Sequence, residues 1–268
     1  MARTVTLLAV AQFAPGDDRD RNLAVIEQFA AEAAGRGATL VVFPEYSSFF
    51  EAELGDASVA AAERLDGPFV SGLGAIAARL GVHVVAGMLE VADGDKVSNT
   101  LVAVDPSGTL VATYRKLHLY DAFGYTESAR VRAGDIEEPQ TFGWNGFTVG
   151  LQTCYDIRFP EVTRRLVDAG ADLVLVPAEW VRGPLKEHHW RVLVTARALE
   201  NTIYIAAADQ APPIGAGNSM VVDPMGVELV TIGEESGIAV AEVTRERVES
   251  VRITNPALAL RRFGVHQI

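Results

Sequence analysis

The chain has 268 residues, of which 49% are hydrophobic and 22% are charged, so it is a globular protein with a substantial core. Its formal net charge of −12 argues against nucleic acid or an anionic membrane as a partner, because both attract basic patches. A single cysteine excludes an internal disulfide, and the short apolar stretch at the N-terminus is typical of a strand rather than a signal peptide, so we expect a cytoplasmic protein without spanning segments.

The first half of the chain begins with alternating strand and helix patterns. Helices are predicted at residues 20–34, ended by Gly35 and Gly37, and at 57–80, interrupted near Gly67 and stopped by Gly81. Strands are predicted at residues 4–13, 39–44, 83–90, 97–105 and 110–116. The last three follow one another without a helix, which indicates hairpins.

The second half repeats this order after a long loop. Helices are predicted at 161–168 and 186–200. Strands are predicted at residues 147–153, 172–177, 203–208, 220–223, 227–232 and 238–243. No linker divides the chain, so we expect one α/β domain over residues 1–268. The many strands with helices on the outside indicate two sheets packed face to face with a helix layer on each outer face, which is a four-layer α-β-β-α sandwich. A single doubly wound sheet is the competing interpretation, and the hairpins argue mildly against it.

Three chemically versatile side chains lie where apolar strand-like runs end. Glu45 follows residues 40–44, and burial at the end of a sheet would raise its pKa and suit it to act as a general base. Lys116 follows residues 110–115. Cys154 lies between a strand and a predicted helix start, where positive charge and helix N–H groups favour the thiolate. Alone, each residue has an ordinary interpretation. Glu45 would be a solvated acid, Lys116 a solvated lysine, and Cys154 a small buried hydrophobic residue.

The five histidines show no spacing typical of a zinc site, so we expect no metal. His118 lies two residues after Lys116 and could support it. A cysteine protease would need a histidine partner for its nucleophile, and no histidine is an evident candidate.

The candidates occur within a series of segments that together resemble the nitrilase superfamily of carbon–nitrogen hydrolases, with their Glu–Lys–Cys triad. The segments are residues 9–12, 43–45, 99–101, 114–119, 154–161, 189–190 with 196–201, and 217–226. The resemblance implies the α-β-β-α sandwich, a homodimer or larger homo-oligomer, and no metal or organic cofactor. Many members carry a second glutamate between the lysine and the cysteine, and Glu127 fits that position best.

The resemblance also implies a role for each residue. Cys154 would attack the carbonyl carbon, while Glu45 would move the thiol proton to the departing nitrogen. Lys116 and the backbone N–H of Tyr155 would stabilise the oxyanion. Glu127 would orient the Lys116 ammonium or the substrate nitrogen.

The residues after the cysteine separate branches of the superfamily. True nitrilases usually have Trp-Glu there, whereas Tyr155-Asp156 resembles the amidases, including ω-amidase and deaminated-glutathione amidase relatives, and some carbamoylases. We therefore expect an amidase that acts on a small linear amide and releases ammonia. An N-carbamoyl amidohydrolase, which also releases carbon dioxide, is the alternative. A catalytically silent interaction protein is the third possibility, and the intact triad argues against it.

The remaining site predictions concern the rest of the pocket and the assembly. Glu179 and Trp180 follow the strand at 172–177 and should reach the sheet end that carries Cys154, so they are candidate substrate-binding residues with Tyr155. Arg158 could bind a substrate carboxylate or hold its loop by pairing with an acid, and the second role is favoured. The apolar helix at 190–194 predicts a homodimer or higher homo-oligomer.

Overall fold

The structure, a computed structural model, describes residues 6–268, so Thr4 and Val5 of the first predicted strand lie outside it. Its strands are β1 (Thr6–Gln12), β2 (Leu40–Val42), β3 (His83–Val91), β4 (Val97–Val104), β5 (Leu110–Arg115), β6 (Val131–Arg132), β7 (Thr141–Trp144), β8 (Phe147–Leu151), β9 (Leu173–Ala178), β10 (Tyr204–Asp209), β11 (Met220–Val222), β12 (Glu228–Thr231) and β13 (Gly237–Val243). Its helices are α1 (Arg19–Gly35), α2 (Asp56–Ala61), α3 (Pro68–Leu80), α4 (Pro160–Asp168), α5 (Lys186–Asn201) and α6 (Arg245–Thr254).

The strands form two sheets of similar design. The first has the order β13-β1-β2-β3-β4-β5, with β6 paired to the start of β4, and the second has the order β12-β11-β10-β9-β8-β7. Each contains three adjacent parallel strands, β1–β3 and β8–β10, and the pairings on either side of them are antiparallel. Parallel strands within a sheet point their carboxyl ends to one edge, which later carries the site.

Side-chain alternation along the strands builds the four layers. In β1, Leu8 and Val10 join a core that also contains Leu173 and Leu175 of β9, so this core lies between the sheets. Ala9, on the opposite face of β1, packs with buried residues of α1 and α3. The second sheet packs in the same way against α4 and α5. The α-β-β-α sandwich is confirmed, and the single doubly wound sheet is excluded.

Several boundaries differ from the prediction. The interruption predicted near Gly67 in the helical stretch at 57–80 is confirmed but is longer than expected, because α2 ends at Ala61 and α3 begins at Pro68, as expected of a proline in a first helical turn. Strands β6 and β7 and helix α6 lie in segments for which no element was predicted. Within residues 6–268, no helix combines the length and apolar character required to cross a bilayer.

Candidate active site

The predicted site residues meet at the carboxyl ends of the strands. Glu45 lies three residues beyond β2, Cys154 three beyond β8, and Glu179 directly after β9. Lys116 directly follows β5, which runs in the same direction as β3 because two antiparallel pairings separate them. Glu45 and Lys116 thus lie at the edge of the first sheet and Cys154 and Glu179 at the edge of the second, and the hydrogen bond between Glu179 and Glu45 joins the two edges.

Two sharp turns position Glu45 and Cys154. Cys154 has a φ of 45° and opens a 3₁₀ turn over Cys154–Arg158, while Tyr46, next to Glu45, has a φ of 57°. Positive φ is unfavourable for residues with a Cβ and is concentrated at functional sites. Gly87 makes the Glu45 turn possible, because a Cβ at Gly87 would lie 2.7 Å from the Glu45 Cα and 2.6 Å from the Tyr46 nitrogen.

Lys116 is the centre of a buried polar cluster. Its Nζ donates to Glu45 Oε1 at 2.9 Å and to Glu127 Oε2 and Oε1 at 2.9 and 3.1 Å. All three side chains are at most 3% exposed. Asn99, on β4, donates from Nδ2 to Glu45 Oε1 at 2.6 Å and to Glu127 Oε1 at 3.1 Å, so it bridges the two carboxylates.

Glu127 is held more firmly than any role as an ordinary loop acid would require. Besides Lys116 and Asn99, the Tyr46 hydroxyl donates to its Oε1 at 2.6 Å and the Tyr120 N–H donates to its Oε2 at 2.6 Å. The structure thus brings Glu127 against Lys116 rather than leaving it in solvent.

Burial and these contacts shift the pKa values of Glu45 and Glu127 in opposite directions. Burial raises the pKa of Glu45 above its ordinary value against the opposing effect of Lys116, which confirms the expected rise. Burial would also raise the pKa of Glu127, but the charge of Lys116 and the hydrogen bonds from Tyr46 and Tyr120 outweigh it and lower that pKa. Burial alone would lower the pKa of Lys116, and the two carboxylates raise it well above its ordinary value, so Lys116 stays charged.

Cys154 is a thiol at rest, not a thiolate. Its side chain is 5% exposed, and its Sγ donates to the Glu179 carbonyl oxygen at 3.4 Å. Burial, followed by the charge of Glu45, raises the pKa of Cys154 well above its ordinary value despite Lys116. Desolvation thus outweighs the positive charge of Lys116, which favours the thiolate, so a base is needed to remove the thiol proton.

A cavity of about 430 Å³ opens over this cluster. Cys154, Glu45, Lys116, Glu127, Glu179 and Trp180 line it, together with Tyr120, Phe123 and Lys186. The Tyr155 side chain packs edge-on against Tyr120 and Phe159 instead, with ring centroids 5.2 and 5.4 Å apart. The role predicted for Tyr155 belongs to its backbone N–H and stays a prediction.

Trp180 combines the two roles considered for it. It is 2% exposed, stacks at 5.2 Å on Trp190, and donates from Nε1 to the Lys186 carbonyl oxygen at 2.8 Å, so it is a core aromatic. It also contributes to the cavity wall and lies 4.9 Å from both the Arg158 guanidinium and the Lys186 ammonium.

Arg158 does not pair with an acid. Within residues 6–268, its buried Nε and Nη2 have no hydrogen-bond partner, and the guanidinium lies over the rings of Trp180, Phe123 and Tyr155 at 4.9–5.8 Å. The favoured role as a loop clamp through an ion pair is therefore wrong, because aromatic rings surround the guanidinium where an acid was expected.

Asp156 holds the Cys154 turn and was not identified from the sequence. Fully buried, it accepts hydrogen bonds from the Tyr114 hydroxyl at 2.7 Å, the His118 N–H at 2.9 Å and the Thr153 N–H at 3.2 Å. His118 Nδ1 lies 2.8 Å from the same carboxylate. The Cys154 turn is thereby connected to the segment that carries Lys116.

Comparison with known proteins identifies the family. The sequence profile of the carbon-nitrogen hydrolases matches residues 7–253. A deaminated glutathione amidase of Escherichia coli O157:H7 is 39% identical over 262 residues, which cover 98% of this chain and 99% of that protein. An omega-amidase of Danio rerio is 30% identical over 278 residues, covering 97% of this chain and 96% of the relative.

The fold is also similar to that of an amidase from Nesterenkonia sp. AN1. A double mutant of that enzyme in complex with acrylamide superimposes with a TM-score of 0.80 at 28% identity, covering 96% of this chain and 94% of the other. A single mutant shows acrylamide added to the active-site cysteine and superimposes with a TM-score of 0.78 at 28% identity, covering 95% of this chain and 100% of the other.

Proposed function

The chain belongs to the carbon-nitrogen hydrolase family, as an amidase, and we propose that it cleaves a small linear amide through a thioester on Cys154 and releases ammonia. One observation carries the proposal: Cys154, Glu45 and Lys116 lie around one cavity, with a main-chain link between base and nucleophile. Glu45 Oε2 accepts the Glu179 N–H at 2.6 Å, and the carbonyl of the same residue accepts the Cys154 thiol.

In the acylation step, Glu45 takes the thiol proton as the Cys154 sulfur bonds to the amide carbon. The carbonyl oxygen becomes an oxyanion, which Lys116 and the Tyr155 N–H stabilise, and one such donor contributes about 2.7–4 kcal/mol. Glu45 then passes the proton to the nitrogen, the C–N bond breaks, and ammonia leaves. Water, deprotonated by Glu45, attacks the thioester carbon, the C–S bond breaks, the carboxylic acid leaves, and Glu45 returns the proton to the Cys154 sulfur.

Glu127 positions Lys116 in this scheme. The Lys116 Nζ has three donors, and its contacts to Glu45 and to both oxygens of Glu127 engage them. One contact to Glu127 would be exchanged for the oxyanion as it forms. Acrylamide, which adds to the active-site cysteine of the Nesterenkonia amidase variant, supports a reactive cysteine in the same fold.

The acyl portion of the substrate would carry an anionic group. The Arg158 Nε and Nη2 are buried and have no partner within the described residues 6–268, and aromatic rings flank the guanidinium. A substrate carboxylate would satisfy both donors in one planar contact. Arg158 is not among the residues that line the cavity, but it packs on Phe123 and Trp180, which are, and on this ground it is assigned the substrate-binding role that was not favoured from the sequence.

The proposal is tested by measuring ammonia release from amides with and without a terminal carboxylate, with Cys154→Ala as the blank. N-carbamoyl amines are included, and carbon dioxide is measured alongside. Ammonia without carbon dioxide supports the amidase, whereas both products from carbamoyl substrates alone would favour the carbamoyl amidohydrolase. If no ammonia is released from any substrate, the amidase proposal fails, and the hypothesis of a catalytically silent interaction protein is the one that remains.

A further inference from the structure

Glu179 has a side chain that the mechanism above does not use. Its main chain contacts both reacting groups, because its N–H donates to Glu45 at 2.6 Å and its carbonyl accepts from the Cys154 thiol at 3.4 Å. Glu179 and Cys154 also line the same cavity, so both residues border the space that an acyl group on Cys154 would occupy.

One oxygen of the Glu179 carboxyl group has no protein partner among the residues that the structure describes. Among residues 6–268, its Oε1 is buried without a hydrogen bond. The cations around it are engaged elsewhere: Lys116 by Glu45 and Glu127, and Lys186 by the Tyr120 hydroxyl at 3.0 Å. A buried polar atom without a partner is costly, and its presence in a ligand cavity points to a partner supplied by the ligand.

The surroundings favour the protonated form of this group. Burial, followed by the charges of Glu45 and Glu127, raises the pKa of Glu179 well above its ordinary value, while Lys116 and Lys186 act in the opposite direction. The titratable groups that face it are Glu45, Lys116, Tyr120, Tyr125, Glu127, Cys154, Lys186 and Asp209. The protonated form, which has one donor and an acceptor, therefore persists to higher pH than in a solvent-exposed glutamate.

We propose that Glu179 is a specificity-determining residue, which donates a hydrogen bond from its carboxylic acid to an oxygen acceptor on the acyl portion of the substrate. The inference rests on the proposed amidase function. Amides with a carbonyl or carboxylate oxygen on the acyl chain would satisfy the group, whereas hydrocarbon chains of equal length would leave it buried and unpaired. A site built to bond an oxygen rejects analogues that lack it.

The test compares succinamate with pentanamide, a hydrocarbon amide of similar length, in wild type, Glu179→Gln and Glu179→Leu. Gln keeps a donor and an acceptor in the same shape, and Leu keeps the volume alone. We expect wild type and Gln to prefer succinamate and the Leu variant to lose about tenfold or more of that preference, mainly through KM. As pH rises and Glu179 ionises, the wild-type KM for succinamate should increase, because the hydrogen-bond donor is lost and two negative charges face each other. The KM of the Glu179→Gln variant for succinamate should not change with pH.

The outcomes separate this inference from the proposed function. A Leu variant with the wild-type preference would overturn the role of Glu179 alone. So would a Gln variant that fails as badly as Leu on both amides, since that pattern indicates a structural role. If the wild type releases no ammonia from any amide, the proposed function fails, and this inference fails with it.

Discussion

The surroundings of individual residues distinguish the two carboxylates of the buried cluster and indicate which of them suits the proposed proton transfer. Two glutamates share one ammonium, and their environments shift their pKa values in opposite directions. Glu127 accepts hydrogen bonds from Tyr46 and Tyr120 in addition to Lys116, so it stays anionic. Glu45 has fewer such donors and the higher proton affinity, which is the property that a general base requires.

Replacing Cys154 by Ala should lower turnover by at least about a thousandfold, because the nucleophile is lost while the remaining groups bind substrate as before. The change removes one buried sulfur, so the thermal unfolding curve should stay close to that of wild type. Ammonia release measured beside that curve checks the prediction. Activity of several per cent in the folded variant would contradict the thioester mechanism.

The same thiol should react slowly with iodoacetamide at neutral pH. Burial raises the pKa of Cys154, so the thiolate fraction is small there and increases with pH. Because the chain has one cysteine, mass spectrometry of the intact protein reports on this site directly. Substrate should slow the labelling, and fast labelling at pH 7 would indicate a preformed thiolate.

Lys116→Arg and Lys116→Ala should both lose activity, by about 10²–10³-fold. Arg keeps the positive charge but cannot place a compact ammonium between Glu45 and Glu127, where the contacts of Nζ are 2.9–3.1 Å. Lys96→Arg is the matched control, since Lys96 donates to the Ser128 carbonyl outside the cluster. A nearly normal Lys116→Arg variant would show that charge alone is sufficient.

The pH dependence of kcat/KM should follow Glu45. The base works when ionised, and its folded pKa lies above the ordinary value of 4.5, so kcat/KM should rise with pH over a range above 4.5. Lys116 should cause no loss on the alkaline side near neutrality, because its pKa is raised. A profile already flat at and above pH 4.5 would contradict the role of Glu45.

At the level of elements, the 3₁₀ turn of Cys154 depends on Asp156. Asp156→Ala would leave the Tyr114 hydroxyl and the N–H groups of His118 and Thr153 without an acceptor. We expect the free energy of unfolding to fall by about 3 kcal/mol or more, and kcat to fall with it. Tyr114→Phe removes one of these bonds and should cost about 1 kcal/mol. Denaturant unfolding of both variants tests the difference.

The sequence predicts the elements that depend on local pattern. The apolar runs and the glycine and proline breaks located most strands and α1 to α5. Strand β6 has two residues and β7 has four, including Gly143, so neither is long enough to show a period. Helix α6 is mostly polar, but Thr244 accepts a hydrogen bond from the Arg247 N–H as an N-cap, a signal that was available.

The sequence pattern does not predict which distant segments pair. It predicts that β13 is a strand, but it does not show that β13 crosses to pair with β1 in the other sheet. The site residues likewise fall into those that the sequence predicts and those that it does not. Glu45, Lys116 and Cys154 follow strands and could be found, whereas Asn99 looks like an ordinary strand residue until β4 places it between two carboxylates.

For the whole molecule, the two sheets must keep their relative position, because each supplies part of the site. Gln12, at the end of β1, accepts from the N–H and hydroxyl of Ser219 at 2.9 and 2.8 Å. Gln210, after β10, donates to the Glu45 carbonyl oxygen at 3.0 Å. These buried bonds join the first sheet to the second at the edge where base and nucleophile meet.

One outer face of the molecule remains apolar. Val192 and Leu199 of α5 are 49% and 43% exposed, although Trp190 and Val194 of the same helix are fully buried. Leu199 lies against Gly226 of the neighbouring hairpin, and the hairpin adds three exposed apolar residues, Met225, Val227 and Leu229. We call Val192, Leu199 and these three residues the α5 patch. A second copy of the chain would cover the patch by a two-fold contact, which is the commonest oligomeric arrangement.

The homodimer therefore remains a proposal that the α5 patch makes testable. Light scattering at micromolar concentration should give a mass of at least twice 28.7 kDa. Val192→Asp would bury a charge in the contact and should shift the mass towards the monomer. Val91→Asp is the control, because Val91 is similarly exposed at 52% but lies at the end of β3, outside the α5 patch. A wild type that is monomeric and fully active would refute the assembly, and equal effects of both variants would refute the assignment of the contact to this patch.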